Sequence, residues 1–189
     1  MASAEAARAR LSDPAAEVSS HYLIAQDGQI LQLVAEHNRA WHAGAGAWHG
    51  LHDINSRSIG IELDNDGQTP FTRLLMRSLE TLLADILHRW AIPPQNVIGH
   101  SDMAPGRKID PGPLFDWPRL AALGLAAPAN ATPGTTDLTQ FRSRARAAGY
   151  TADADDADLL QAIRLRWRPK ATGPLSPEDI AVLPVSSGS

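Results

Sequence analysis

Alternation of apolar and polar residues predicts short strands in the first half of the chain. The segment 58–63 alternates in this way, and alternate side chains of a strand lie on opposite faces. The segment 19–25, which ends in a short apolar run, is also predicted to be a strand. Asp27-Gly28 is typical of a tight turn, and the apolar segment 29–34 follows it, so the pattern predicts a hairpin. Asn96-Val97-Ile98 is another short apolar run, which also predicts a strand.

Helical spacing is found elsewhere in the chain. Within 72–90, Thr72 is a good N-cap residue, and the apolar residues that follow recur at helical intervals. The apolar stripe consists of Leu75, Leu79, Leu82, Leu83, Ile86 and Trp90. We expect this stripe to pack on the sheet, which predicts an α/β fold with helices against strands. Further helices are predicted at 3–11, 137–148, 155–167 and 176–183.

Composition suggests two domains joined by a linker. The 189 residues suffice for one medium domain and a small appendage. Residues 126–136 are rich in Ala, Pro, Thr, Asn and Gly, which is typical of a linker. We therefore expect one domain at 1–125 and a small three-helix domain at 137–185.

Charge and cysteine content restrict the function. The net charge is −4 and the chain has no basic run, so we expect no nucleic-acid partner. Cysteine is absent, which removes disulfides, thiolate ligands and cysteine nucleophiles. We expect no transmembrane segment, because no apolar run approaches the roughly 20 residues that span a bilayer. The N-terminus also lacks the apolar core of a signal peptide.

The segment 99–113 carries the most chemistry. It combines an imidazole, two carboxylates and two cations with three glycines and three prolines, which predicts a rigid loop. A neutral imidazole from His100 and a carboxylate from Asp110 can share a zinc ion. If residues 108–110 are extended, Lys108 lies on the same side as Asp110 and could stabilise an oxyanion.

Two other segments contain candidate functional residues. Glu62 follows a glycine that leaves room beside it, so it is a candidate general base; the alternative is an ordinary solvent-facing glutamate. The segment 39–52 interleaves small residues with Trp41, Trp48 and three histidines, which is typical of a loop that lines a pocket. The alternative for both tryptophans is that they cover an edge of the core.

These residues resemble the zinc-dependent N-acetylmuramoyl-L-alanine amidases, the amidase-2 group that includes peptidoglycan recognition proteins. The matching motifs, in the order of that family, are Val18–Ile24 with Asp27-Gly28, Arg39–Gly44, Asn55 with Ser58–Leu63, and Gly99–Asp102 through Lys108–Pro113 with Phe115–Trp117. They cover roughly residues 10–124. The resemblance implies a mixed sheet flanked by helices. More weakly, 149–150 and 166–169 resemble a helical peptidoglycan-binding domain.

The resemblance also implies an activity. It is hydrolysis of the amide between N-acetylmuramic acid and L-alanine in peptidoglycan or muropeptides, in wall degradation or recycling. By position, His100 and Asp110 resemble two of three Zn²⁺ ligands, Glu62 the general base and Lys108 the oxyanion stabiliser. Roles in substrate binding are implied for Trp41, His42, Asn55 and Arg107. We expect a monomer.

The sequence departs from the family pattern at its start. The first zinc ligand of the family is a histidine at the end of an early strand, and we expect that segment to be missing here. His21 or His42 could replace it. Two alternatives to a hydrolase therefore stay open, namely a muropeptide-binding protein without hydrolytic activity and an inactive fragment. Either a cytoplasmic or a periplasmic, wall-associated location is compatible with the sequence.

Overall fold

The computed structural model describes residues 10–11 and 16–184, and its sheet has three short strands. These are β1 (Tyr22–Ile24), β2 (Ile30–Gln32) and β3 (Ile61–Leu63), in the order β2-β1-β3. β1 pairs antiparallel with β2 and parallel with β3, so the sheet is mixed, as expected. All three residues of the central strand β1 are buried.

The described residues form two compact units. The first comprises the described part of Met1–Ala45 together with Asp53–Ile92, and the second comprises Gly46–His52 together with the described part of Pro93–Ser189. The whole sheet lies in the first unit. This division differs from the predicted boundary between 1–125 and 137–185, and that domain organisation stays a prediction.

The first unit contains the predicted hairpin and the predicted long helix. Asp27-Gly28 makes the turn between β1 and β2, and Gly28 adopts a positive φ of 88°, which glycine tolerates best. After the 3-10 turn Ile54–Ser56 and β3 comes α1 (Arg73–Trp90). Its N-cap is Thr72, whose hydroxyl accepts a hydrogen bond from the N–H of Leu75 at 3.1 Å. The buried residues of α1 are Leu75, Met76, Leu79, Leu82, Leu83 and Ile86.

The assignment of Trp90 to this buried stripe was wrong. Its side chain remains 47% exposed, and its indole N–H donates a hydrogen bond of 2.6 Å to Glu36. The same carboxylate accepts hydrogen bonds from Arg89 at 2.7 Å and from the Tyr22 hydroxyl at 2.8 Å. The hydrogen bond from Arg89, with those from Trp90 and Tyr22, lowers the pKa of Glu36 to about 2 against the opposing effect of burial.

We predict that Glu36→Gln lowers the free energy of unfolding by about 1–3 kcal/mol at pH 7. The pKa of Glu36 is depressed in the folded state, so its contribution is complete above the unfolded value of 4.5 and is lost as the pH falls toward about 2. Urea unfolding of both proteins at several pH values measures this. The matched control is Asp156→Asn in the exposed pair with Arg142, which should lower the free energy of unfolding less than Glu36→Gln does, because ion pairs at the surface contribute little. A difference that did not shrink at low pH would contradict the prediction.

The second unit begins with elements that only partly match the sequence prediction. The predicted strand at 96–98 is wrong, because Pro94–Asn96 forms a 3-10 turn and residues 97–99 have no regular secondary structure. The segment 99–113, predicted to be a rigid loop, begins with a helical turn, α2 (His100–Met103). The next helix, α3 (Trp117–Ala122), ends shortly before Gly124, which adopts a positive φ of 70°.

Three further helices lie where the sequence predicted them. They are α4 (Leu138–Ala147), α5 (Asp156–Trp167) and α6 (Pro177–Ala181). Aspartates cap the first two, because Asp137 and Asp155 accept hydrogen bonds from the backbone N–H groups of their own first turns.

The predicted linker has no regular structure, yet it is attached to these helices. The Asn130 N–H donates to the carbonyl of Val182 at 2.9 Å. Arg144, on α4, donates to the carbonyls of Thr132 and Pro133. These contacts hold residues 130–133 against α4 and the end of α6, so this part of the chain is ordered by tertiary hydrogen bonds.

Two other expectations concern the whole chain. Most of the N-terminal helix predicted at 3–11 lies outside the described residues. Within residues 10–11 and 16–184, none of the helices combines the length and the apolar character needed to cross a bilayer.

Candidate active site

His100 and Asp110 are brought together by the backbone between them. The N–H of Ser101 donates to the carbonyl of Asp110 at 3.0 Å, which ties the first turn of α2 to the later part of the loop. Gly99 allows this close approach, because a Cβ at that position would lie 2.5 Å from Cδ of Pro111. The local fold therefore places two side chains ten residues apart next to each other.

The side chains of His100 and Asp110 are in direct contact through Nδ1 and Oδ2. Desolvation raises the pKa of Asp110, but the hydrogen bond with His100 and the charges of His100 and Lys108 outweigh it, so the pKa lies below its ordinary value. His100, Lys108 and Asp110 all belong to the second unit.

This pair fits part of a zinc site. An imidazole nitrogen and a carboxylate oxygen are ligand types that zinc accepts. Among residues 10–11 and 16–184, no group of three or more His, Cys, Asp or Glu side chains is placed to hold a metal. The described residues therefore supply two donors, whereas catalytic zinc sites ordinarily have three protein ligands.

A buried polar cluster is centred on Asp102, in the same helical turn as His100. No pattern in the sequence predicted it. Asp102, completely buried, accepts hydrogen bonds from the Tyr150 hydroxyl at 2.5 Å, from Arg166 at 2.8 Å and from the Gly99 N–H at 2.8 Å. Arg166 donates a further bond to the carbonyl of Val97 at 3.0 Å. The sequence signal for this cluster is indirect, because positions 150 and 166 belong to the segments that resemble a peptidoglycan-binding domain.

Glu62 lies in β3 of the first unit, where it pairs with Leu23 of β1 and is half-buried. The predicted alternation of burial is not observed, because all three residues of β3 are half-buried. The space beside Gly60, which was predicted to give room to Glu62, is not open. The ring of His42 fills it, since a Cβ at Gly60 would lie 2.3 Å from the ring.

Both ring nitrogens of His21, which the sequence offered as a possible zinc ligand, contact backbone groups. His21 is buried; its Nδ1 accepts a hydrogen bond from the Gly60 N–H at 2.9 Å, and its Nε2 lies 3.0 Å from the carbonyl of Asn38. Because an amide can only donate and a carbonyl can only accept, the proton is on Nε2 and both nitrogens are engaged. The histidine therefore connects three backbone segments of the first unit.

The predicted substrate-binding residues occupy different environments. Asn55 is buried, and its side-chain oxygen accepts hydrogen bonds from the N–H groups of His42 and Ala43, so it holds the loop that carries His42. Trp41 is 57% exposed, with the guanidinium of Arg39 over its ring at 4.4 Å.

Two other residues singled out in the sequence lie in the second unit. Arg107 is exposed. Trp48, in contrast to Trp41, is buried in the core, so of the two interpretations of this tryptophan the structure supports the structural one. Trp41, His42, Asn55 and Glu62 thus belong to the first unit, and His100, Arg107, Lys108 and Asp110 to the second.

Comparison with known proteins identifies the family. The profile described as N-acetylmuramoyl-L-alanine amidase, amidase-2, matches residues 1–113, which include Glu62, His100, Lys108 and Asp110. Members of this family generally depend on zinc.

Similar proteins come from enterobacteria. The chain is 44% identical over 127 residues to N-acetylmuramoyl-L-alanine amidase AmiD of Escherichia coli, a match that covers 59% of this chain and 46% of that protein. It is 42% identical over 106 residues to 1,6-anhydro-N-acetylmuramyl-L-alanine amidase AmpD of Enterobacter cloacae, covering 56% and 57% of the two chains. The chain thus spans about half the length of these curated relatives.

A solved structure extends the similarity. The complex of E. coli AmiD with anhydro-N-acetylmuramic acid-L-Ala-D-gamma-Glu-L-Lys superposes with a TM-score of 0.86 at 34% identity, covering 94% of this chain and 81% of that one. The family profile and this structure agree with the motifs found in the sequence. The chain belongs to the amidase-2 family of N-acetylmuramoyl-L-alanine amidases.

Proposed function

We propose that this protein hydrolyses the amide bond between N-acetylmuramic acid and L-alanine in muropeptides. The observation that supports this most directly is the contact between His100 and Asp110, a histidine and an aspartate held together within the family match. The relatives named for this reaction, and the AmiD structure that contains an anhydro-muropeptide, support the same substrate class.

His100 and Asp110 are the proposed zinc ligands of the described chain. Zinc bound there would polarise the scissile carbonyl and lower the pKa of water toward about 7. The protein's own part is to hold the two donors together, through the Ser101 hydrogen bond and the close packing at Gly99.

Glu62 is the proposed general base. An amide is hydrolysed slowly because water is a weak nucleophile and an amine is a poor leaving group. A carboxylate that accepts the proton of the attacking water, and then delivers it to the nitrogen of L-alanine, assists both steps. The products are the free carboxyl group on the lactyl side and the free amine of the peptide.

Lys108 is proposed to stabilise the oxyanion that develops on the carbonyl oxygen. A positioned donor of this kind contributes about 3 kcal/mol in other hydrolases. We further propose that Trp41, His42 and Arg107 contact the muropeptide, and that Asn55 positions the loop carrying the first two. A monomeric state and the absence of a nucleic-acid partner stay predictions.

The direct test is hydrolysis of a defined substrate. The purified protein, with zinc added, is incubated with anhydro-N-acetylmuramic acid-L-Ala-D-γ-Glu-L-Lys and separately with insoluble peptidoglycan, and free peptide is measured by chromatography and mass spectrometry. We expect release of a peptide that begins with L-alanine, and its suppression by a zinc chelator. A substrate with D-alanine at the scissile position is the matched control. Binding of the muropeptide without any release would contradict the proposed hydrolysis.

A further inference from the structure

We propose that Arg166 and Tyr150 are positioning residues for the zinc site, and that α5 is part of the support of that site. This inference rests on the proposed function, because it assigns those two residues a role in holding His100 toward a metal. Asp102, at the centre of the buried cluster, is two residues after His100 in the same helical turn.

Arg166 contacts the chain on both sides of His100. One guanidinium nitrogen donates to Asp102 at 2.8 Å and the other donates to the Val97 carbonyl at 3.0 Å. The guanidinium also lies over the ring of Trp117, 4.0 Å from its centroid. Because it contacts the backbone before His100 and the carboxylate after it, Arg166 restricts the rotation of the turn as a whole.

Tyr150 donates a hydrogen bond to the Asp102 carboxylate oxygen that Arg166 does not contact. Its hydroxyl donates to Asp102 at 2.5 Å, and burial raises its pKa well above 10.0, so it stays a donor. The backbone before it is pressed against Trp48, since a Cβ at Gly149 would lie 2.5 Å from the indole. Tyr150 is therefore held by packing.

Asp102 connects Arg166 and Tyr150 to the backbone beside the proposed metal ligands. Fully buried, it would be costly if left without partners. While Arg166 and Tyr150 hold it, Asp102 accepts a hydrogen bond of 2.8 Å from the Gly99 N–H, which fixes the first turn of α2. In the same turn, the Ser101 N–H donates a hydrogen bond to the carbonyl of Asp110. Loss of either partner should loosen the connection between His100 and Asp110.

The same helix supplies a matched control. Arg164 pairs with Asp179 at 2.6 Å, also in a nearly buried ion pair, and donates to carbonyls at 173 and 174. None of these contacts involves the turn at 99–102. A general loss of stability in α5 should therefore follow from Arg164→Gln as well, whereas an effect on the zinc site should not.

The test compares Tyr150→Phe, Arg166→Gln and Arg166→Lys with Arg164→Gln. Zinc affinity is measured by competition with a chromophoric chelator, and thermal unfolding is measured in parallel. We expect Tyr150→Phe and Arg166→Gln to weaken zinc binding by about 10–100-fold, as second-shell changes do. Arg166→Lys, which keeps the charge, should restore part of the affinity. Arg164→Gln should retain wild-type affinity even if its melting temperature falls.

A second measurement needs no zinc. Amide hydrogen exchange of Ser101 in the metal-free protein should accelerate at least about tenfold in Tyr150→Phe and Arg166→Gln, but not in Arg164→Gln. Tyr150→Phe removes one hydroxyl and keeps the aromatic packing, so it remains informative if Arg166→Gln does not fold. Unchanged exchange and unchanged zinc affinity in Tyr150→Phe would overturn the inference. Failure of the wild type to bind zinc, with the exchange effect present, would instead contradict the proposed function.

Discussion

Glu62→Gln should lower kcat by about 10²–10⁴-fold, the range that general base catalysis contributes. The amide has nearly the shape of the carboxylate but cannot accept the proton of the attacking water. We expect zinc affinity and muropeptide binding to stay within about twofold of wild type, because a base acts on the chemical step and less on ground-state binding. Single-turnover kinetics with the anhydro-muropeptide, together with calorimetric binding, separates the two effects.

The control for this prediction is Glu80→Gln, which makes the same chemical change at a half-buried glutamate of α1. It should leave kcat close to the wild-type value. If Glu62→Gln turned over muropeptide as fast as this control, Glu62 would have no part in proton transfer and the proposed mechanism would need another base.

His100→Ala should weaken zinc binding by about 10²–10³-fold. Structural zinc sites with four ligands bind with about 10–16 kcal/mol, so one ligand contributes roughly 2.5–4 kcal/mol. Activity at limiting zinc should fall in parallel, and excess zinc should recover part of it. The measurement is the same chelator competition, carried out at neutral pH.

His88→Ala is the matched control, because His88 is an exposed histidine on the surface of α1 and we do not expect it to bind the metal. Wild-type zinc affinity in both alanine variants would remove His100 from the metal site. Loss of zinc affinity in both would indicate nonspecific binding to surface histidines.

Local signals in the sequence predicted much of the secondary structure. Asp27-Gly28 predicted the hairpin because its turn geometry depends mainly on those two residues, and Gly28 takes the expected positive φ. Thr72 predicted the start of α1 for the same reason, since a helix cap acts within one turn. The predictions that were wrong involved competition between local preference and tertiary contact. Trp90 continued an apolar stripe, yet its indole bonds to Glu36, 54 residues away.

The candidate site was predictable in part. His100, Lys108 and Asp110 stand close together in the sequence, so a short loop was enough to indicate a cluster. The need for a glycine at position 60 was not predictable, because the ring that fills the space beside it comes from His42 in another loop. The tautomer and burial of His21 likewise depend on backbone groups at 38 and 60.

By itself, the sequence determined the hairpin, the long helix that follows Thr72, the three helices after residue 137 and the motifs that place the chain among the amidases. Those features depend on residues within a few positions of one another, where caps, turns and periodicity act. Only the tertiary structure decided that Asp102 pairs with Arg166 across 64 residues and with Tyr150 across 48. A buried charge needs a partner, but the identity of that partner depends on which distant segments fold against each other.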